Sequence, residues 1–168
     1  MLFEETIEVK QTPKAVFTFA TDFSNLCKWD SRIVDAVQVT PGPVRLDTRF
    51  EVIMDFAGFE VAFEYTVTEY KPWGRAVLTG ASRLATAVDV ITVQRTATGT
   101  RLTWRALIRL QGRLAYLDPL LRLLLLPRIK GTIEGFGEQL ERLADGHPRD
   151  RRPGGTGHGS LRVIGTEV

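Results

Sequence analysis

Residues 48–110 carry one long apolar/polar alternation that folds back at short turns without changing which side is apolar, and that pattern leaves few folds open. Phe50, Val52, Met54 and Phe56 alternate with Arg49, Glu51 and Asp55. After Ala57-Gly58, Phe59, Val61, Phe63, Tyr65 and Val67 alternate with Glu60, Glu64, Thr66 and Thr68. A period of two with one apolar side marks antiparallel strands that cover something apolar and turn their other face to water. The covered element has to come from elsewhere in the chain.

The turns allow the register to be counted. A two-residue turn at Ala57-Gly58 sets Phe56 opposite Phe59, Met54 opposite Val61, Val52 opposite Phe63 and Phe50 opposite Tyr65. A turn at Lys71-Pro72-Trp73-Gly74 sets Tyr70 opposite Arg75, Val67 opposite Leu78 and Tyr65 opposite Gly80. Arg83-Leu84 then pairs Leu78 with Asp89 and Ala76 with Ile91, and Ala97-Thr98 pairs Val93 with Leu102, Ile91 with Trp104 and Asp89 with Ala106. A slip of one residue would turn every side chain over, so agreement across the turns is an internal test. The count assumes strands without bulges.

Upstream, Phe3, Ile7 and Val9 alternate with Glu4, Thr6 and Glu8, which predicts a first strand over residues 2–10. Thr12-Pro13 reads as an N-cap followed by proline at the first helical position, where its missing N–H costs nothing. A short helix over residues 14–21 should bury Val16, Phe19 and Ala20, and a second over 24–29 would take Ser24 as its cap. Extended structure resumes over 33–40 and ends at the Pro41-Gly42-Pro43 turn. After Leu110 the period changes: Ile129, Ile133, Phe136, Leu140 and Leu143 fall on one helical stripe, the expected cover for the sheet, in a leucine-rich segment interrupted by Pro119 and Pro127. Residues 1–144 are expected to form one domain, and the Gly-, Arg- and Pro-rich residues 145–168 a flexible tail.

Composition narrows the function classes. At 168 residues, 43% hydrophobic and 25% charged, the chain is of ordinary globular composition and long enough to bury a core with an internal cavity. A formal net charge of +2 makes no case for nucleic acid. The single cysteine, Cys27, rules out an internal disulfide framework, fits a reducing cytoplasm and is expected in the core. The longest pure apolar run, 123–126, is too short to span a bilayer, so a soluble cytoplasmic protein is expected. His147 and His158 both lie in the tail, which leaves the domain without a histidine for a triad or metal site, and no cofactor is implied.

The order of strand, two short helices, about six further antiparallel strands and a long terminal helix is the helix-grip arrangement of the α+β class. The stretches Thr12-Pro13-Lys14-Ala15-Val16-Phe17 and Asp22-Phe23-Ser24-Asn25-Leu26-Cys27-Lys28-Trp29-Asp30 resemble the START and Bet v 1-like (SRPBCC) superfamily, above all its polyketide cyclase/dehydrase and lipid-transport branch. Gly42-Pro43-Val44, Thr48-Arg49-Phe50, Gly99-Thr100-Arg101-Leu102-Thr103-Trp104 and Pro119-Leu120-Leu121 fit the same pattern, so that the likeness covers residues 2–144. The resemblance implies a curved sheet of about seven strands gripping the C-terminal helix, with a hydrophobic cavity between them. Members bind lipids, polyketides and hormones, and some catalyse cyclisation or dehydration. Their catalytic residues differ between branches, so none carries over by motif.

The residues themselves supply the candidates. Asp89 falls on the apolar face between Leu78 and Ala106, where a carboxylate is costly unless paired, protonated or wetted. It is a candidate general acid or base, or an anchor for a ligand hydroxyl or carbonyl, against the alternatives of an arginine pair or a wet rim. Tyr65 and Trp104 share that face and can orient a ring or serve as plain core, Tyr65 also as a proton donor. Glu5 falls inward as a weaker second carboxylate. Phe50, Val52, Met54, Phe63, Leu78, Ile91, Ala106 and Ile108 would line the apolar wall, some as cavity and some as core. Glu51, Asp55, Glu60 and Glu64 share the outer, solvated face. The leading reading is binding or transport of an apolar small molecule. A cyclase or dehydratase using Asp89, and an interaction module docking a protein or membrane through residues 120–126, are the alternatives.

Overall fold

The computed structural model describes residues 2–56, 58–112 and 135–140. Seven antiparallel strands form one curved half-barrel sheet: β1 Leu2–Val9, β2 Ile33–Gln38, β3 Arg49–Phe56, β4 Phe59–Lys71, β5 Arg75–Ala81, β6 Ala85–Arg95 and β7 Thr100–Leu110, in the order β1-β7-β6-β5-β4-β3-β2. Each of β3 to β7 pairs with the strand before it through a hairpin, or, for β3, through the longer loop after β2, so the sheet is built mostly from strands consecutive in sequence. β1 closes the far side by pairing with β7.

The counted register holds at Phe50 with Tyr65, Val52 with Phe63, Leu78 with Asp89, Ile91 with Trp104 and Asp89 with Ala106. It fails in one place. Past Val67 the β4–β5 pairing shifts, and Tyr70 stands opposite Ala76 rather than Arg75. Thr68 is the extra residue, its hydroxyl donating to the Val77 carbonyl at 3.3 Å. Because side chains alternate with period two, one inserted residue turns the rest of the strand over. The bulge therefore brings Tyr70 rather than Glu69 onto the packed side, edge-on to Phe17 with ring centroids 5.3 Å apart.

Between β1 and β2 the chain lays two short helical elements on the concave face. Helix α1, Pro13–Thr21, opens at Thr12, whose hydroxyl accepts from the Ala15 N–H at 3.3 Å, and it buries Phe17 as well as the expected Val16, Phe19 and Ala20. A 3₁₀ segment follows over Phe23–Lys28, and its cap is Asp22, not Ser24: the Asp22 carboxylate accepts from the Ser24 N–H at 3.1 Å and from the Ser24 hydroxyl. At three residues per turn Phe23 and Leu26 share the buried side. Cys27 is consequently exposed, which corrects its expected place in the core.

Helical residues 135–140 place Phe136 and Leu140 in the core, Phe136 against Phe19 and Trp29 at 5.2 and 5.4 Å between centroids. The expected long C-terminal helix is thus borne out only over this turn and a half; Ile129, Ile133, Leu143, the prolines at 119 and 127, the leucine-rich residues 120–126 and the tail lie outside the described residues. Among the described residues no helix is long and apolar enough to cross a membrane.

Candidate functional site

The site is built on four adjacent strands. Asp89 points inward from the middle of β6 and is 6% exposed. The Trp104 indole, diagonally across on β7, donates its Nε1–H to Asp89 Oδ1 at 2.8 Å. From the other side Tyr65 of β4 donates its hydroxyl to the same carboxylate. Tyr65 is separated from β6 by β5, and it reaches across because the intervening residue is Gly80. A Cβ at Gly80 would lie 2.6 Å from the Tyr65 ring, inside any tolerable contact, so only glycine leaves room for the ring to lie over β5.

Electrostatics follow from this cage. Burial strips water from the Asp89 carboxylate and pushes its pKa up to about 6 from 3.8, although both hydrogen bonds and the more distant positive charge of Arg32 favour the ionised form. Arg32 does not neutralise Asp89 directly, because its guanidinium forks onto buried Asp30, with Nε and Nη2 at 2.9 and 2.6 Å from the two carboxylate oxygens. The Tyr65 phenol is raised well above its ordinary value, first by burial and then by the neighbouring Asp89 charge. A buried acid that changes protonation near neutral pH, beside a phenol that stays protonated, can give or take one proton and can hold a polar group of a ligand.

The apolar surroundings divide into two parts. Phe50, Val52, Phe63, Leu78 and Ile91 are at most 2% exposed and are sealed against neighbouring side chains. Met54, Ala106 and Ile108, together with Phe3, Glu5 and Ile7 of β1, face inward but remain half-buried. Glu5 thus does lie on the inner face, paired with Trp104 across β1 and β7. The grooves of about 490 Å³ beside α1 and about 420 Å³ beside β2 and β3 do not include Asp89. Glu51, Asp55, Glu60 and Glu64 are all exposed on the outer face, as their spacing predicts.

Two site residues escaped the sequence reading. Phe23 stacks on Trp104 at 5.8 Å with an interplanar angle of 16°, meets Tyr65 edge-on at 5.0 Å and lies tilted by 40° against Phe50 at 5.7 Å. Trp29 packs edge-to-face on the same Trp104 at 5.3 Å. Both come from the irregular stretch between α1 and β2, where no periodicity marks a face. Replacing Tyr65 with Phe should raise the Asp89 pKa above 6 by removing a donor to the carboxylate, and should cost about 1–2 kcal/mol at pH 8 but much less at pH 4. Denaturant melts at the two pH values measure this, and an equal loss at both would mean that the hydroxyl does not hold the charged form.

Comparison with known proteins agrees with this architecture. No curated protein matches the chain significantly. Among solved structures, TTHA0849 of Thermus thermophilus superposes with a TM-score of 0.71 at 15% identity, over 86% of this chain and 99% of that one. A START superfamily protein of Mycobacterium smegmatis gives 0.64 at 14% over 83% and 98%, and NE0264 of Nitrosomonas europaea 0.63 at 20% over 86% and 97%. At such identities the likeness is one of fold. Residues 2–146, however, match the sequence family described as polyketide cyclase/dehydrase and lipid transport, and the chain therefore belongs to that branch of the START and Bet v 1-like superfamily.

Proposed function

We propose that the chain binds an apolar small molecule, of lipid or polyketide character, between the concave face of the sheet and the C-terminal segment, and holds one polar group of it at Asp89. The observation that carries this reading is the buried carboxylate itself: Asp89 sits among apolar and aromatic side chains with only Trp104 and Tyr65 as hydrogen-bond partners among the described residues. A fold stabilised only by packing would be served better by leucine there. The half-buried side chains of Met54, Ala106 and Ile108 are the proposed apolar contacts, and the sealed Phe50, Val52, Phe63, Leu78 and Ile91 the wall behind them. A family that handles polyketides and lipids supports the same class of ligand.

Native mass spectrometry of the purified protein is expected to show a retained apolar molecule. With the fluorescent probe ANS as ligand, Ala106→Trp, which puts a bulky ring beside Asp89, should weaken binding at least about tenfold. Unchanged probe binding in a folded Ala106→Trp protein would overturn the site. The raised carboxyl of Asp89 beside the Tyr65 phenol favours a second reading, a cyclase or dehydratase in which Asp89 moves the proton. There, Asp89→Asn should abolish turnover of a poly-β-ketone substrate while leaving its binding largely intact, and undiminished turnover would remove Asp89 from the chemistry.

A further inference from the structure

The turn between β4 and β5 is built at a cost that its own folding does not require. Pro72 occupies its second position, the Gly74 N–H closes it on the Lys71 carbonyl at 3.1 Å, and Trp73 between them takes a φ of +62°. A turn of this kind calls for glycine or asparagine there, and a bulky side chain in the left-handed region is disfavoured by roughly 1–2 kcal/mol. Trp73 nevertheless leaves 43% of its surface in water at the tip of the hairpin. Its inner edge rests on Phe17 at 6.0 Å between centroids, and Lys14 Nζ stands 5.3 Å from the ring centre.

Further cations lie at this end of the sheet. Lys71 and Arg75 flank Trp73 within the turn and share Glu69 at 3.0 and 3.2 Å. The β6 end bearing exposed Arg95 is tied to the same turn by the Val93 N–H, which donates to the Gly74 carbonyl at 2.7 Å. Exposed Lys10 precedes Gln11, whose carbonyl accepts from the Thr100 hydroxyl at 2.6 Å, so the β1–α1 junction and the β6–β7 turn meet there. The β2–β3 loop, which the antiparallel pairing brings to the same end of the sheet, exposes Leu46 and Arg45, with Asp47 beside them. Lys10, Lys14, Arg45 and Arg95 have no ion-pair partner among the described residues. The acidic Asp35, Glu51, Asp55, Glu60 and Glu64 lie instead on the outer face of β2, β3 and β4.

We infer that this end of the molecule docks on an anionic lipid bilayer, with Trp73 and Leu46 entering the headgroup region and Lys10, Lys14, Arg45, Lys71, Arg75 and Arg95 facing the lipid phosphates. An exposed indole at an end of the sheet that also presents cations fits the membrane–water boundary, where tryptophan collects and where lysine and arginine gain from a negative surface. The acidic outer face sets the orientation, since it is repelled. A nucleic acid would also meet the cations, but it gives no use for an aliphatic leucine and a strained tryptophan presented at loop tips. The inference goes beyond the ligand-binding reading without resting on it, and it is read by vesicle binding rather than by ligand retention, so either can fail alone.

Sedimentation with vesicles of equal parts phosphatidylcholine and phosphatidylglycerol, against phosphatidylcholine alone, tests it. The protein should partition selectively into the anionic vesicles, weaken as salt rises, and show blue-shifted tryptophan emission on binding. Each cation near the surface contributes about a fivefold gain, so Lys10→Glu, Lys14→Glu and Arg95→Glu together should lower binding by about a hundredfold or more. Trp73→Gly, which keeps the turn, should abolish the emission shift, and melting curves confirm that the variants are folded. Arg83→Glu and Arg109→Glu at the opposite end should leave binding unchanged. Equal binding to neutral vesicles, none to either, an equal loss from the opposite-end pair, or tighter binding to duplex DNA than to the anionic vesicles would each overturn the assignment.

Discussion

Asp89→Asn is expected to make the folded protein more stable at pH 8, by about 2 kcal/mol and at most about 3, while leaving stability at pH 4 nearly unchanged. In the folded chain Asp89 titrates at about 6, and in the unfolded chain near the free value of 3.8. Below the lower value both states hold the proton and the carboxyl costs nothing by ionising. Between the two values the unfolded chain has already released its proton and the folded chain has not, so stability falls as pH rises. Above about 6 the full difference, about 3 kcal/mol, has been lost to a buried charge. Asparagine keeps the acceptor oxygen for Trp104 and Tyr65 but carries no charge, and its two amide hydrogens, left without a partner, trim the gain. Urea melts of both proteins across this range measure the difference. A variant that is less stable at pH 8, or shifted equally at both pH values, would show that Asp89 is not held at a cost by its surroundings.

That a buried carboxylate weakens the fold at neutral pH bears on what it is for. Residues retained against stability concentrate at functional sites. Here Gly80 leaves room for Tyr65 to cross β5, and Arg32, whose charge acts on Asp89, is occupied by Asp30. Were Arg32 free to pair with Asp89, the carboxylate would be an ordinary ion and its pKa would fall. The arrangement keeps a proton exchangeable near neutrality, which suits ligand anchoring and proton transfer alike.

How much of this could be read beforehand depended on whether a regular period carried the signal. The inward position of Asp89 followed from counting residues between turns, because a strand's period of two is rigid and any error would have shown as a charge row facing the core. The Thr68 bulge was less visible, yet it left a trace: the apolar set runs at 61, 63, 65 and 67 and then resumes at Tyr70, a change of phase within one strand. The contributions of Phe23 and Trp29 could not be counted, since a 3₁₀ turn followed by a loop has no long repeat. Their places are set by the Asp22 cap at one end and by the Asp30–Arg32 fork at the other. The site was thus half legible, its strands from pattern and its helical cover only from structure.

Phe23 makes that hidden half testable, and Phe23→Ala should cost about 3–5 kcal/mol. The ring is 1% exposed and touches Phe50, Tyr65 and Trp104, so truncation removes buried area and also leaves a void that the strands behind cannot close. The sheet cannot collapse inward locally, because Phe50, Tyr65 and Trp104 are fixed to different strands by the ladder. A second consequence separates this from a general core defect. Trp104, without its stacking partner, is freer to tilt from Asp89, and water can enter beside the carboxylate; both changes act on the group whose pKa burial had raised. Entry of water lowers the pKa and loss of the indole donor raises it, and since burial is the larger influence the net movement should be downward from about 6. The pH dependence of stability should then be shallower in Phe23→Ala than in the parent. Phe59→Ala, at a ring 75% exposed, is the control and should stay within about 0.5 kcal/mol. If Phe23→Ala costs less than about 1 kcal/mol, or leaves the pH dependence as steep as before, then Phe23 does not hold Trp104 and Asp89 together.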